Sequence, residues 1–407
     1  MNISRERLLN RLEELARIGA IPDTHGNSRL ALTDDDRDGR DLVKSWMEDL
    51  GLSVTIDGIG NVIATTDPDG GPPVMTGSHI DTVATGGRYD GVLGVLAGLE
   101  VIETVLSAGI TPARPLAVGF FTDEEGARFP PDMLGSLVYV GGMSVEEALD
   151  ATSADGAVLG EELERIGYRG SAPVPGAVPH AFVELHIEQG PVLEAENVQI
   201  GAVEGVQGIS WTEITIEGQS NHAGTTPIGM RRDPGLVAAQ IAAKAREVAL
   251  QIGGTQVATV GSLRLSPDLV NVVPAQAVMT LDLRNTDEGM LVKAEAMMEA
   301  FWTEAARAEN VSITTRSLAR FEPVVFDPRV VDIVEATAVE QGLVTKRMPS
   351  GAGHDAQMMA RICPTAMIFV PSVDGLSHNP AEFTHPDDLE AGANVLLHTM
   401  LRLAEME

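Results

Sequence analysis

Residues 77–94, GSHIDTVATGGRYDGVLG, carry a histidine and two aspartates among several glycines, directly after a short apolar run at residues 72–75. Asp90 follows a turn at Gly86 and Gly87, and Gly91 and Gly94 let a backbone pack tightly as an apolar, helix-prone stretch starts at Val92. On an extended backbone His79 and Asp81 point to the same side. Asp81 is then expected to take the far ring nitrogen of His79, fixing the tautomer and leaving the other nitrogen for a metal. A single His-x-Asp is a weak signal, and a solvated glycine-rich surface loop accounts for it equally well.

The rest of the chain decides between these readings. Its 407 residues exceed what one core usually serves, so two domains are expected, and 44% hydrophobic content is ample for them. No apolar run approaches the roughly 20 residues of a membrane span, and residues 1–20 have a charged amphipathic pattern rather than a signal-peptide core, which points to the cytoplasm. The one cysteine, Cys363, has no partner for a disulfide or a thiolate metal site. A net charge of −31 argues against nucleic acids and anionic membranes as partners, since both are polyanions. Function must therefore lie in particular sites.

Residues 3–18 read as a first helix, and Asp34 or Asp35 could cap a second that runs to Leu50. Strands are expected at residues 53–56, 61–64, 73–76 and 116–121, with a helix over 91–108 between the last two. Strands interleaved with helices imply an α/β fold with a mixed or parallel sheet. The strand at 116–121 runs into Asp123, Glu124 and Glu125, just past a buried strand end, where open α/β sheets place their active sites. Near a metal, one acid can ligate while its neighbour takes a proton from water. The plainer alternative is an acidic turn at a helix N-terminus.

Two further segments carry histidines. Residues 181–190, AFVELHIEQG, alternate apolar and polar like a strand, with Glu184, His186 and Glu188 on one face. His378 follows the apolar strand at 366–370 and a proline- and glycine-containing turn. Each histidine alone is more readily a satisfied polar residue than a ligand. Together, His79, Asp90, Glu124, Glu125, His186 and His378 all fall at strand ends or turns, enough for a two-metal hydrolytic site with ions ~3.5–4 Å apart.

At this point GSHIDTV, GGRYDGVLGVLAGLE, FTDEEGARF, ELHIEQGPVLE, GQSNHAGTTP with MRRDP, SGAGHDA and SHNPAEFT occur in one order between residues 77 and 385. The chain resembles the amidase, hydantoinase/carbamoylase family, within the di-zinc exopeptidases and deacylases. That family includes N-carbamoyl-L-amino-acid hydrolases, allantoate and ureidoglycolate amidohydrolases, and β-ureidopropionases. The resemblance implies that His79, Asp90 and His186 hold one divalent metal ion and Asp90, Glu125 and His378 the other, with Asp90 bridging and Glu124 as general base. Zn2+ is the expected ion, with Mn2+, Co2+ or Ni2+ as alternatives. His186 is informative, because many peptidases of the wider group carry a carboxylate there.

The resemblance further implies a mixed-sheet catalytic domain over 1–211 and 327–407, with an inserted α+β domain over 212–326. The insert would have four strands and two helices, serve as lid and mediate a homodimer. The residues agree in order: strands read at 210–217, 256–263 and 277–284, helices at 233–252 and 290–309. The insert would contribute His222 to the oxyanion, and Asn271 and Arg284 to the substrate. A guanidinium fork suits a carboxylate, although Arg284 could equally be a surface residue paired with Asp282 or Asp287. Gln189 and the loop at 351–354, with Gly353, are further substrate candidates. The expected reaction is hydrolysis of the carbamoyl C–N bond of a small ureido acid, releasing ammonia and carbon dioxide. A di-zinc aminopeptidase or dipeptidase and a non-catalytic metal-bound sensor are the competing readings.

Overall fold

A computed structural model describes residues 1–406. The chain divides into two compact units: Met1–Glu204 with the segment from Phe326 onward, and Gly205–Val325.

The first unit is built on a mixed sheet whose strands run in the order Ser53–Ile56, Val62–Thr65, Leu116–Phe121, Val74–His79, Ala181–Ile187, Thr365–Val370 and Ile200–Val206. The four central strands are parallel: Val74 lies opposite both Leu116 and Ala181, and Val370 opposite Ile187. Every residue of these four strands is buried. That is the mark of parallel strands covered on both faces; Leu116–Phe121 and Thr365–Val370 read as apolar runs, whereas Ala181–Ile187 alternates and buries Glu184 and His186. The register brings His79, Phe121, Ile187 and Val370 to the same edge of the sheet, so the loops that follow them converge.

The Val92–Ser107 helix is buried almost all round and packs on the Val74–His79 and Ala181–Ile187 strands. Gly94 makes the close approach possible, because a Cβ there would stand 2.5 Å from the Leu185 carbonyl oxygen. The Pro386–Ala404 helix covers the same helix and the Thr365–Val370 strand. The second helix, Asp34–Asp49, is capped by Thr33, whose hydroxyl accepts from the Asp36 amide, rather than by Asp34 or Asp35. The aspartates fill its first turn instead, where the helix dipole favours them.

The second unit is a four-stranded antiparallel sheet in the order Ser312–Phe321, Gly208–Glu217, Gln276–Asn285, Val257–Ser266. Its helices are Pro234–Ile252 and Glu288–Glu309. Gln276–Asn285 alternates buried and half-buried residues without a break, so one face supplies Ala277, Met279, Leu281 and Leu283 to a core shared with Val237, Ile241, Leu291 and Met298. Asp233 and Asp287 cap the two helices through backbone amides. The strand Ser312–Phe321 is mostly exposed and polar, which hid it from a reading based on apolar patterning.

No helix among the described residues is long and apolar enough to cross a membrane.

Candidate metal and active site

His79 ends its strand, and the turn after it, not the strand pattern, decides where Asp81 points. The His79 Nδ1 donates to the backbone carbonyl of Asp81 at 2.9 Å, whereas the Asp81 carboxylate accepts from the amides of Glu124 and Glu125, each at 3.4 Å. The expectation that the Asp81 carboxylate orients the His79 ring is therefore corrected. The same-side alternation it assumed stops at His79, where the strand stops. His186 is held the same way, its Nδ1 donating to the Ile187 carbonyl at 2.8 Å. Both rings thus turn Nε2 toward the cluster.

Asp90 stands between them. Its Oδ1 lies 3.2 Å from His186 Nε2 and 3.8 Å from His79 Nε2, while Oδ2 lies 3.4 Å from His378 Nε2. His378 Nε2 is also 3.2 Å from Glu125 Oε2. Two groups result, His79–Asp90–His186 and Asp90–Glu125–His378, each with its ligand atoms within 4.8 Å of one another. Glu124 is buried beside the first, its Oε2 3.3 Å from His79 Nε2.

The electrostatics follow the geometry. Burial, with Glu125 and Asp90 opposing it, lowers the proton affinity of His79. Burial also weighs on His186, but its hydrogen bond to Asp90 prevails and raises it to about 9. Hydrogen bonds to Asp90 and Glu125 push His378 up to about 10. Burial would raise Asp90, yet its bonds to His186 and His378 hold it well below the usual carboxylate range. Glu124 has no such compensation: burial, then the charges of Asp355 and Glu125, push its carboxyl well above the ordinary value.

These residues fit divalent metal ions. Imidazole nitrogens and carboxylates are ordinary ligands for zinc and its neighbours. Glu125 Oε1 is buried with no hydrogen-bond partner among the described residues, as an oxygen reserved for an ion would be. A third group, Glu184–His186–His354, fits less well. Glu184 already accepts from Ser78 and the Ala356 amide, and His354 Nε2 bonds the Ser350 hydroxyl at 2.8 Å. His354 instead packs edge-on against the His186 ring, at 4.5 Å between centroids.

Gln189 is found on Asp90: its Nε2 donates to Asp90 Oδ2 at 2.9 Å, alongside the Ser377 hydroxyl. Gly353 lies in the loop after Thr345–Ser350, against the Met133 side chain. His222, Asn271 and Arg284 belong to the second unit. His222 pairs with Val272 in a two-residue ladder, and the Asn271 carbonyl accepts from the Ala223 amide, so these two lie close together. Arg284 Nε and Nη2 grip the Asp282 carboxylate at 3.0–3.1 Å, and its guanidinium lies over the Trp211 ring.

Several residues escaped the sequence reading. Glu382 is buried and accepts from the amides of Tyr89 and Asp90, fixing the backbone of the bridging aspartate. Gly87 admits it, since a Cβ there would overlap the Glu382 carboxylate. Glu382 lies inside SHNPAEFT, four residues after His378, but its partners are 292 and 293 positions away in sequence, so its role leaves no local pattern to find.

Residues 75–402 match the peptidase family M20/M25/M40. The N-carbamoyl-L-amino-acid amidohydrolase of Rhizobium meliloti is 42% identical across 99% of this chain and 97% of its own length. The allantoate amidohydrolase of Bacillus subtilis is 34% identical across 97% of this chain and 96% of its own. The crystal structure of an amidase of the hydantoinase/carbamoylase family from Burkholderia multivorans superposes with a TM-score of 0.96 at 43% identity, covering 100% of this chain and 99% of that one. The chain belongs to peptidase family M20/M25/M40 and, within it, to the hydantoinase/carbamoylase family of amidases.

Proposed function

We infer that the protein is an N-carbamoyl-L-amino-acid amidohydrolase. The observation that carries this reading is a pair of ligand groups sharing Asp90, with the buried Glu124 carboxyl 3.3 Å from His79, in a chain 42% identical to such an enzyme over nearly its whole length. His79, Asp90 and His186 would hold one divalent ion and Asp90, Glu125 and His378 the other. Bound there, the ions would supply Lewis acidity to a ureido carbonyl and acidify water at neutral pH.

The chain's own groups then divide the proton work. Glu124 accepts a proton from the attacking water and returns it to the departing nitrogen, a task suited to a carboxyl whose burial strengthens its hold on a proton. Water adds to the carbamoyl carbon, the C–N bond breaks, and the amino acid leaves with its nitrogen protonated. The carbamate fragment then falls apart into ammonia and carbon dioxide. Gln189 and Ser377 orient Asp90 through its Oδ2.

The second unit would supply the substrate groups: His222 toward the oxyanion, Asn271 toward the ureido group, Arg284 toward the carboxylate, with Gly353 from the first unit. The Arg284 fork is engaged with Asp282 in this structure, so a substrate carboxylate would have to share or displace that bond. The exposed Val257, Leu263 and Leu265 on the edge strand Val257–Ser266 support a homodimer through this unit. The likeness to the Bacillus subtilis allantoate amidohydrolase favours allantoate as the second reading, at lower identity.

The test is ammonia release from N-carbamoyl-L-amino acids, allantoate and ureidoglycolate, with dipeptides as controls, after chelation and reloading with Zn2+, Mn2+, Co2+ or Ni2+. The reading expects turnover of N-carbamoyl-L-amino acids, abolished by the chelator and restored by more than one ion. Dipeptide hydrolysis without ureido turnover, or full activity in metal-free protein, overturns it.

A further inference from the structure

Two arginines are fully buried in this chain, Arg29 and Arg40, and both come from the N-terminal segment ahead of residue 75, where the family match begins. Neither belongs to the candidate ligand set, and a buried guanidinium is costly unless every donor has work to do.

Arg29 divides its donors between the loop that carries the first ligand and the N-terminal segment itself. Its Nε donates to the Ile80 carbonyl at 2.8 Å, in the peptide that joins Ile80 to Asp81. Its backbone is tied twice to Thr82, the amide donating to the Thr82 hydroxyl at 2.7 Å and the carbonyl accepting from the Thr82 amide at 2.9 Å. Nη1 meanwhile donates to the Ile18 carbonyl and to Asn27 Oδ1, which anchors the side chain from the opposite direction. Two residues earlier, Asn27 exchanges backbone hydrogen bonds with Gly86, at 2.9 and 3.0 Å. Room for the side chain is reserved by Gly39, where a Cβ would stand 2.8 Å from Arg29 Cδ. The His79–Gly86 loop, which leads on to Asp90, is thus clamped along its length by a segment that touches none of the ligands.

The clamp reaches the reacting groups through atoms already described. Ile80 and Thr82 flank Asp81, whose backbone carbonyl fixes the His79 ring and whose carboxylate holds the Glu124 and Glu125 amides. We propose that Arg29 is a positioning residue of the metal site, setting the Ile80–Thr82 turn and through it the His79 ring and the Glu124–Glu125 backbone. This rests on the metal reading of the His79–Asp90–His186 group.

The test uses the full chain, with Zn2+ as the probe and competition against a chelator of known affinity as the readout. Outer partners of metal ligands typically alter affinity about 10–100-fold, so Arg29→Met is expected to weaken Zn2+ binding by that factor while circular dichroism of the metal-free protein is unchanged. Arg29→Lys should recover part of the loss, since an ammonium can reach one carbonyl but cannot reproduce the fork. If Arg29→Met does not fold, Arg29→Gln decides the matter in its stead: its shorter side chain keeps a donor but not the reach of Nε to the Ile80 carbonyl, and it should weaken Zn2+ binding in the same direction. A purely structural arginine would lower the unfolding temperature of the metal-free protein and leave Zn2+ affinity alone. Folded Arg29→Met, or folded Arg29→Gln in its stead, with wild-type affinity overturns the proposal. Failure of the wild type to bind Zn2+ would instead overturn the metal reading, and is read from that protein alone.

Discussion

The His79 ring is oriented by the backbone carbonyl of Asp81, while the Asp81 side chain faces away, onto the amides of Glu124 and Glu125. One residue therefore serves two neighbours through two different groups, and the two services separate on mutation. Asp81→Asn keeps the carbonyl and should leave metal content near that of the wild type. It replaces one carboxylate oxygen with a donor that faces an amide N–H, which disturbs the acidic turn. The expected result is a fall in kcat of about 10–100-fold with metal stoichiometry retained. Loss of one metal equivalent, measured by elemental analysis, would mean that the side chain orients the ring after all.

Glu124 and Glu125 are adjacent in sequence but face different histidines, His79 and His378. Glu124→Gln is nearly isosteric and should bind metal normally while turnover falls at least ~10²–10⁴-fold, the range for a lost general base. Metal titration beside steady-state kinetics checks this, and parallel loss of metal and activity would make Glu124 a ligand.

How much of this was legible in the sequence depended on whether the signal was local. The half-buried strand at 53–56 and the fully buried one at 116–121 are found where the apolar segments place them. His79, Asp90, Glu125, His186 and His378 were singled out because each sits at a strand end or turn, and the parallel register brings those ends to one sheet edge. The direction of Asp81 was not legible, because it depends on where the strand stops. The roles of Glu382 and Arg29 were hidden for a different reason: each acts on backbone groups of a distant loop, amides for Glu382 and a carbonyl for Arg29, and backbone groups carry no residue identity for a pattern to match. The Asp36–Arg40 pair had a readable four-residue spacing, but nothing in that spacing tells a buried pair from an exposed one.

Cys363 offers a check on the core behind the last parallel strand. Burial pushes its thiol up to about 11. The folded value lies above the ordinary one, so its contribution to stability is fully present below pH 9 and is lost as pH rises through 11. At pH 8 the native protein should give no fast reaction with a disulfide reagent, and one thiol per chain should appear on unfolding. Rapid labelling of the native protein at pH 8 would show that this region opens on the timescale of the assay.

Arg284 lies on the rigid Gln276–Asn285 strand, as a clamp requires, yet its fork is engaged with Asp282 in the same strand. A substrate carboxylate would have to share or displace that bond, so the arginine's value to binding is the difference between two carboxylates rather than the gain from one. Arg284→Lys should still lower kcat/KM for carboxylate-bearing substrates, because a point charge cannot reproduce two parallel hydrogen bonds. Charge-assisted hydrogen bonds are worth roughly 1.5–3 kcal/mol, so a fall of about tenfold to a hundredfold is the upper bound, with metal content unchanged. The decisive measurement is the ratio of kcat/KM for an acid and its amide. If Arg284 grips the substrate, that ratio collapses in the mutant, since the amide has little to lose. A ratio equal to that of the wild type would leave Arg284 with a structural role beside Asp282, and the carboxylate of the substrate would have to be read by another residue.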